Sequence, residues 1–499
     1  MNSLLHLNAL LEDIVFLEKT IELPRHDLCL DSRLLKKGDI FFALNGTALN
    51  GQDYIEDAIK KGAAAVLVDT AIAPEISFSM QDKVPVILIQ NLRRQLGCIA
   101  SRFYNAPEEA LELIGITGTN GKTSCSHFIA NALHKSGIPC GIIGTLGAGL
   151  YGNLAPTNNT TPDIFTLYKT LNELRDLGAK VVAMEVSSHA LKQQRTQGLR
   201  FKIAIFTNLT QDHLDYHLTL EDYESSKKLL FDDYAVENAI INADDVVGQR
   251  WLTHLAIPNK YAYSLQNKIQ FTPCISAQHC HTTQHGLKAV VKTPWGDGML
   301  QSALLGNFNL SNLLATLTTL GIYNIPLSDA LRLIHELHPV PGRMEKLGGG
   351  NQPLVIIDYS HTPDALEKAL TTLRDYCKGE LWCVFGCGGD RDKTKRPIMG
   401  EIAERYADNM IITDDNPRHE NAHDIAQAIL TGIQNKPAVI IEHNRRYAIA
   451  HAIACAQPED VILIAGKGHE TYQQIGNEKA AFSDAIEARL ALENRIEKS

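Results

Sequence analysis

Short apolar runs alternate along this chain with longer segments in which apolar positions recur every three or four residues. A run that is apolar throughout is a strand buried on both faces, and the longer pattern is one buried face of a helix. Alternating the two predicts βαβ units around mostly parallel sheets, an α/β fold. Near the start, strands are predicted over 28–30, 40–44, 65–68 and 84–89. Helices are predicted over 53–61, stopped by Gly62, and over 93–104. The leucine-rich opening, residues 4–13, reads as an amphipathic helix. It has no basic leader or small-residue cleavage site, and acidic residues follow directly, which argues against a signal sequence.

The middle third repeats the rhythm with strands over 181–186, 203–208 and 239–242, and with helices over 164–177 and 310–320. Residues 261–304 break it with polar, strand-like, Pro- and Gly-containing sequence. Pro339-Val340-Pro341-Gly342 cannot continue a helix and marks a boundary, as does Ala106-Pro107. Beyond it the alternation restarts, with strands over 354–357, 381–385, 410–413, 438–441 and 461–464, a second doubly wound unit. The expected organisation is a small α/β domain over 1–105, a central parallel-sheet domain over 106–338 and a doubly wound, Rossmann-like domain over 339–499. A length of 499 residues agrees with about three domains.

Composition narrows the classes. With 44% hydrophobic and 21% charged residues the chain has ample core, and its net charge of −10 argues against general nucleic-acid binding. No run approaches the ~18 apolar residues of a membrane span, so no membrane insertion is expected. Ten scattered cysteines suit reduced thiols and a cytoplasmic location. Cys274, His279, Cys280, His281 and His285 cluster, but the cysteine spacing does not fit a zinc site, and a polar surface strand is the expectation.

The strongest chemical signal is Gly115-Ile116-Thr117-Gly118-Thr119-Asn120-Gly121-Lys122-Thr123, lying between an apolar run and a helical segment closed by Gly137. A strand ending in a Gly-rich turn that opens a helix points backbone N–H groups at an anion. Lys122 is placed to reach β/γ-phosphates and the Thr123 hydroxyl to hold Mg²⁺, so ATP or a close relative is the expected ligand. Glu185 and His213 follow nearby strand ends and suit a metal and catalytic shell, with Lys227 a turn or two further on. In the last third, polar clusters at 358–361, 386–393, 414–418 and 466–470 directly follow apolar strands. Open α/β sheets bind ligands in the crevice outside the carboxyl ends of their strands, so these clusters predict one site.

Ten runs carry a resemblance, in order along nearly the whole chain: 117–123 (TGTNGKT), 159–162 (NTTP), 184–191 (MEVSSHAL), 207–217 (TNL…DHLDYH), 306–312 (GNFNLSN), 341–345 (PGRME), 358–366 (DYSHTPDAL), 386–397 (GCGGDRDKTKRP), 415–418 (DNPR) and 466–470 (GKGHE). The chain resembles the Mur ligases, the ATP-dependent amide-bond-forming family of peptidoglycan synthesis. Within it, the likeness is to members that add the third residue of the stem peptide. One departure is Ser360, where that family usually has Ala.

The resemblance implies that ATP phosphorylates the D-Glu side-chain carboxylate of UDP-N-acetylmuramoyl-L-alanyl-D-glutamate. A diamino acid's amine then displaces phosphate. ATP would be held by Gly118, Thr119, Asn120, Gly121, Lys122, Thr123 and Ser124, with adenine near Asn309 and Asn312 and a phosphate contact at Arg343. Two Mg²⁺ ions are implied, with Thr123, Glu185, His213 and Lys227 as ligands. Local sequence alone reads Lys227 as an ordinary helix-surface lysine beside Lys228. The family instead carries the lysine at this position as a carbamate, N6-carboxylysine. Only a neutral amine reacts with CO₂, so its pKa must fall. The UDP-sugar peptide would be held by Leu30, Ser32, Asn159, Thr160, Thr161, Ser187, Gln193 and Arg195, in part through the 1–105 domain. Lys122, Glu185, His213 and Lys227 are the implied catalytic set.

Arg391, Asp415, Asn416, Pro417, Arg418, Gly466 and Glu470 would receive the amino acid in the 339–499 domain. A guanidinium at 418 suits the distal carboxylate of meso-2,6-diaminopimelate, which lysine lacks. The alternatives are a lysine-adding member or a folylpolyglutamate synthase of the same architecture. From a different class come a P-loop kinase and a non-catalytic nucleotide-binding module. A monomer is expected.

Overall fold

Three parallel-rich sheets form where the apolar runs recur. The computed structural model describes residues 4–45, 50–72, 77–266, 271–283, 286–435 and 439–496. The first sheet has the order Leu28–Cys29, Ile40–Ala43, Ala65–Thr70, Val84–Gln90, Phe78–Gln81, parallel except for the last strand.

The central sheet is parallel from Cys140–Gly144 through Val181–Glu185, Glu112–Thr117, Arg200–Phe206, Ala235–Asn242 and Asn259–Ser264 to Cys274–Thr283. Antiparallel strands flank it: Gly147–Leu150 and Asn153–Ala155 on one side, Gly286–Thr293 and Gly296–Ser302 on the other. The 261–304 segment is thus strand-rich, as its composition predicts. Alternate residues of the central strands feed different cores, as a period of two requires. Val182 and Met184 pack with the N-terminal unit, whereas Val181 and Ala183 pack under the helices Lys122–Lys135 and Asn307–Ile322.

The C-terminal sheet runs Glu345–Gly348, Leu354–Asp358, Val461–Ala465, Leu381–Phe385, Asn409–Ile412, Val439–Ile441, parallel except at its first edge. Residue 438, the expected start of the 438–441 strand, lies outside the described residues. Both faces are covered: Cys383 and Phe385 point into one core, Trp382 and Val384 into the other.

Two departures from expectation have a clear physical reason. Residues 4–13 are not one helix: Leu4–His6 pairs antiparallel with Glu22–Pro24, and only Leu7–Leu10 is helical. The partner strand is remote in sequence, which local spacing cannot reveal. The polar hairpin Tyr472–Ile475 with Glu478–Ala481 was also invisible, because its strands bury no continuous face. Among the described residues no helix is long and apolar enough to cross a membrane.

Candidate active site

The strand Glu112–Thr117 ends in the turn 118–121, and the helix Lys122–Lys135 begins directly after it. Gly118 has φ 144°, and a Cβ there would collide with Thr207 Oγ1, so only glycine fits. The neighbouring strand end holds the turn in shape. Thr207 Oγ1 donates to Asn120 O at 2.6 Å, Asn208 Nδ2 to the same oxygen at 3.0 Å, and Asn120 N to Asn208 Oδ1 at 3.0 Å.

Lys122 arches back over this turn, its Nζ donating to Gly118 O at 2.8 Å and Thr119 O at 2.9 Å. From the helix Leu220–Asp232, Lys227 Nζ donates to the same Gly118 oxygen at 2.9 Å. Lys227 is buried, with Nζ 4.1 Å from the Tyr223 ring centre, and so is not the surface lysine that its local sequence suggests. Burial first, then the neighbouring Lys122 ammonium, holds the Lys227 amine well below its usual pKa.

Glu185 ends the strand Val181–Glu185 and is fully buried. Its carboxylate accepts from Thr123 Oγ1 at 2.9 Å, Thr145 N at 2.9 Å and Thr145 Oγ1 at 3.2 Å. Arg343 donates through Nη2 to Thr123 Oγ1 at 3.2 Å and stacks over Tyr359. The hydroxyl–carboxylate pair Thr123–Glu185 is a hard-oxygen donor set that fits Mg²⁺. That ion usually takes one or two carboxylates and completes its shell with phosphates and water.

His213 lies with Asp212 (Nε2–Oδ2 3.3 Å) and the His189 ring (4.8 Å between centres) rather than on Glu185. Burial, then nearby His189, Lys227 and Lys122, lowers its pKa against the pull of Asp212. The imidazole is therefore neutral near pH 7, the state that ligates a metal.

The residues expected at the UDP-sugar peptide fall into two groups. Thr161 Oγ1 donates to Glu185 O at 2.8 Å, Ser187 N donates to Thr161 Oγ1 at 3.1 Å, and Arg195 Nη1 donates to Thr161 O at 2.8 Å. Gln193 Oε1 accepts from Arg195, and Thr160 Oγ1 meets Thr145 Oγ1 at 3.0 Å. Asn159 is exposed beside them. Leu30 and Ser32 stand on the N-terminal unit, where Ser32 O accepts from Lys61 Nζ at 2.8 Å, and they share no hydrogen bond with that cluster among the described residues. Ser124 is buried in the first turn of the loop's helix, and Asn309 and Asn312 are buried along Asn307–Ile322. Asn309 Nδ2 donates to Leu305 O at 2.8 Å.

On the C-terminal sheet the strand-end clusters do converge. Gly466 has φ 114°, and a Cβ there would lie 2.6 Å from Asp415 Oδ2, so the two turns are in close contact. Asn416 Nδ2 donates to Glu470 Oε2 at 2.8 Å, and Pro417 is buried beside it. Arg418, with φ 51°, donates through Nη1 to Gly389 O at 2.8 Å. Arg391 is exposed and bonds only the neighbouring Asp390 O at 3.0 Å among the described residues.

This edge meets the phosphate loop. Asn120 Nδ2 donates to Asp364 Oδ2 at 3.1 Å, and His361 Nε2 lies 3.9 Å from Asp212 Oδ2. Asp212 and His361 lie in runs expected at the site but had no role of their own, and Thr145 and Asp364 were not expected there. Thr145 follows an apolar strand, a signal that could have found it; Asp364, in the first turn of the helix Pro363–Arg374, joins through tertiary contact alone. Ser360, the family departure, donates to Asp358 within its own turn. Of the cysteine–histidine cluster, Cys274, His279, Cys280 and His281 lie along the strand Cys274–Thr283, with a bulge between Gln278 and His281. His285 lies outside the described residues.

Comparison with known proteins agrees with this geometry. Residues 25–104 match the Mur ligase family catalytic domain, 116–320 the Mur ligase middle domain, and 342–468 the Mur ligase glutamate ligase domain. The UDP-N-acetylmuramoyl-L-alanyl-D-glutamate–2,6-diaminopimelate ligase of Coxiella burnetii is 47% identical over 464 residues, 93% of this chain and 94% of that protein. The enzyme of the same name from Pseudomonas aeruginosa is 47% identical over 466 residues, again 93% and 94%. A solved structure of a ligase of that name superposes with a TM-score of 0.68 at 32% identity, covering 99% of this chain and 100% of the other. The chain belongs to the Mur ligase family.

Proposed function

We propose that this protein is an ATP-dependent ligase that joins meso-2,6-diaminopimelate to the D-Glu of UDP-N-acetylmuramoyl-L-alanyl-D-glutamate. One observation carries the reading: the phosphate loop with its Thr123–Glu185 pair touches, through Arg343 and Asp364, the sheet edge that bears Arg418 and Glu470. A carboxylate does not react with an amine until its oxygen becomes a leaving group. Lys122 and Arg343 would steady the phosphates while the terminal phosphoryl group passes to the D-Glu carboxylate. The amine then attacks the acyl phosphate and expels phosphate, the amide replacing the C–O bond. Such a transfer asks the protein mainly for positioning and charge neutralisation.

Mg²⁺, when bound, would neutralise phosphate charge. Thr123 and Glu185 would hold it, with His213 and a carbamylated Lys227. In support of the carbamate, the Lys227 amine is buried and its pKa lowered, so the neutral form that reacts with CO₂ is accessible. Lys227→Ala should be nearly inactive, and an added short-chain carboxylate should partly restore turnover. Full activity in the folded alanine variant would end this assignment.

The UDP-sugar peptide is assigned to Leu30, Ser32, Asn159, Thr160, Thr161, Ser187, Gln193 and Arg195, adenine to Asn309 and Asn312, and the amino acid to Arg391, 415–418, Gly466 and Glu470. The domains take the bounds 1–105, 106–338 and 339–499, in a cytoplasmic monomer. The test is ATP turnover measured with each substrate omitted. Phosphate release should require both the UDP-dipeptide and the diamino acid. ADP formation without the amine, with the phosphoryl group kept on the product, would favour a kinase, and equal use of lysine would favour a lysine-adding ligase.

A further inference from the structure

The turn after the strand Val461–Ala465 carries a lysine that none of this chemistry uses. Lys467 is 0% exposed. Its Nζ donates to Glu470 Oε2 at 2.7 Å and to Asn416 Oδ1 at 3.0 Å. Asn416 Nδ2 donates to the same Oε2 at 2.8 Å. One carboxylate oxygen is therefore taken twice, while Oε1 has no hydrogen-bond partner among the described residues.

The frame around this pair is tied down on every side. Arg445 Nη2 donates to Ala465 O at 2.9 Å, Gly466 N to Asp358 O at 3.1 Å, and Glu470 N to Lys467 O at 3.0 Å. Asn416 Oδ1 also accepts from Gln474 N at 2.9 Å, which fastens the hairpin Tyr472–Ile475 and Glu478–Ala481 to the same hub. That hairpin in turn grips Arg418: Arg418 N donates to Gln474 O at 3.1 Å, and Gly476 N to Arg418 O at 2.7 Å.

A buried ion pair is poor evidence for stability, since an apolar pair of similar volume often serves as well. What Lys467 supplies is direction. Arg418 stands two residues from Asn416 on the same turn and is tied to the same hairpin, so a Glu470 carboxylate left loose would have a guanidinium competitor on that turn. Pinning Oε2 to Lys467 keeps the anion off the arginine that a ligand carboxylate needs, and leaves Oε1 for a ligand ammonium.

We propose that Lys467 is a positioning residue for amino-acid selection: with Asn416 it locks one oxygen of Glu470 and presents the other to the distal ammonium of the diamino acid. This rests on the reading that Glu470 receives that ammonium. Steady-state kinetics for all three substrates on Lys467→Met, Glu470→Gln and the double variant test it. Lys467→Met should raise the amino-acid KM about tenfold or more, the scale of a hydrogen bond to a charged group. The KM values for ATP and the UDP-dipeptide should stay within about twofold, since the contact is absent from their sites. In the Glu470→Gln background the same change should add less than about twofold, because the carboxylate charge that Lys467 orients is already gone.

Lys467→Gln keeps a donor for Oε2 and should fall between wild type and the methionine variant. It also serves if Lys467→Met does not fold. An unchanged amino-acid KM in either folded variant, or a full additive loss in the Glu470→Gln background, would overturn the inference alone. An unchanged amino-acid KM in Glu470→Gln itself would overturn it together with the reading of Glu470 beneath it.

Discussion

Lys122→Ala should abolish ligation while the protein stays folded. The side chain reaches across the phosphate turn to Gly118 O and Thr119 O, at the start of the helix Lys122–Lys135. Its ammonium lies over the turn next to Thr123, whose hydroxyl Arg343 contacts at 3.2 Å. Burial pushes the Lys122 pKa down, and Glu185 and Asp212 oppose that shift. Removing one preorganised stabiliser from a site of developing charge costs on the order of 10²-fold or more in turnover. The fold should survive, because the apolar residues of Glu112–Thr117 and of the helix beyond are untouched. Phosphate release and a thermal melt of the same sample check both halves. Near-wild-type turnover in a folded variant would remove this loop from catalysis.

Arg418→Ala should raise the KM for meso-2,6-diaminopimelate steeply and leave ATP and UDP-dipeptide binding nearly unchanged. Arg418 spends one Nη1 bond on Gly389 O and is only partly exposed, so much of its fork is open in a half-desolvated pocket. Truncating one partner of a buried charged pair costs roughly 2–5 kcal/mol, because the other charge is left unpaired. Lysine should be a very poor substrate for the wild type, since it leaves the guanidinium without a counter-ion. Steady-state kinetics with both amino acids on both proteins decide it. Equal use of lysine by the wild type would move selectivity away from residues 415–418.

The apolar runs and the glycine-rich loop were legible in the chain because each is encoded within a few residues. Burial on both faces demands continuous apolar sequence, so 181–186, 381–385 and 461–464 announced their strands, and the fold class followed. The turn at Gly118 demands glycine, and Lys122-Thr123 next to it declared phosphate chemistry before any tertiary contact existed. Strand-end polar clusters then pointed to one crevice. Partners were another matter. The pairing of Leu4–His6 with Glu22–Pro24 arises from hydrogen bonds between segments whose local pattern reads as a helix. Only folding brings Thr145 onto Glu185 across 40 residues, and Arg343 onto Thr123 and Asp364 onto Asn120 across 220 and 244 residues of chain. The same is true of Lys467, whose meaning lies in the one Glu470 oxygen it occupies and the other it leaves open. Residue types and spacings determine which groups this chain can offer to a ligand. Which of them face each other, and which are already spent on one another, is decided by long-range packing that no local pattern contains.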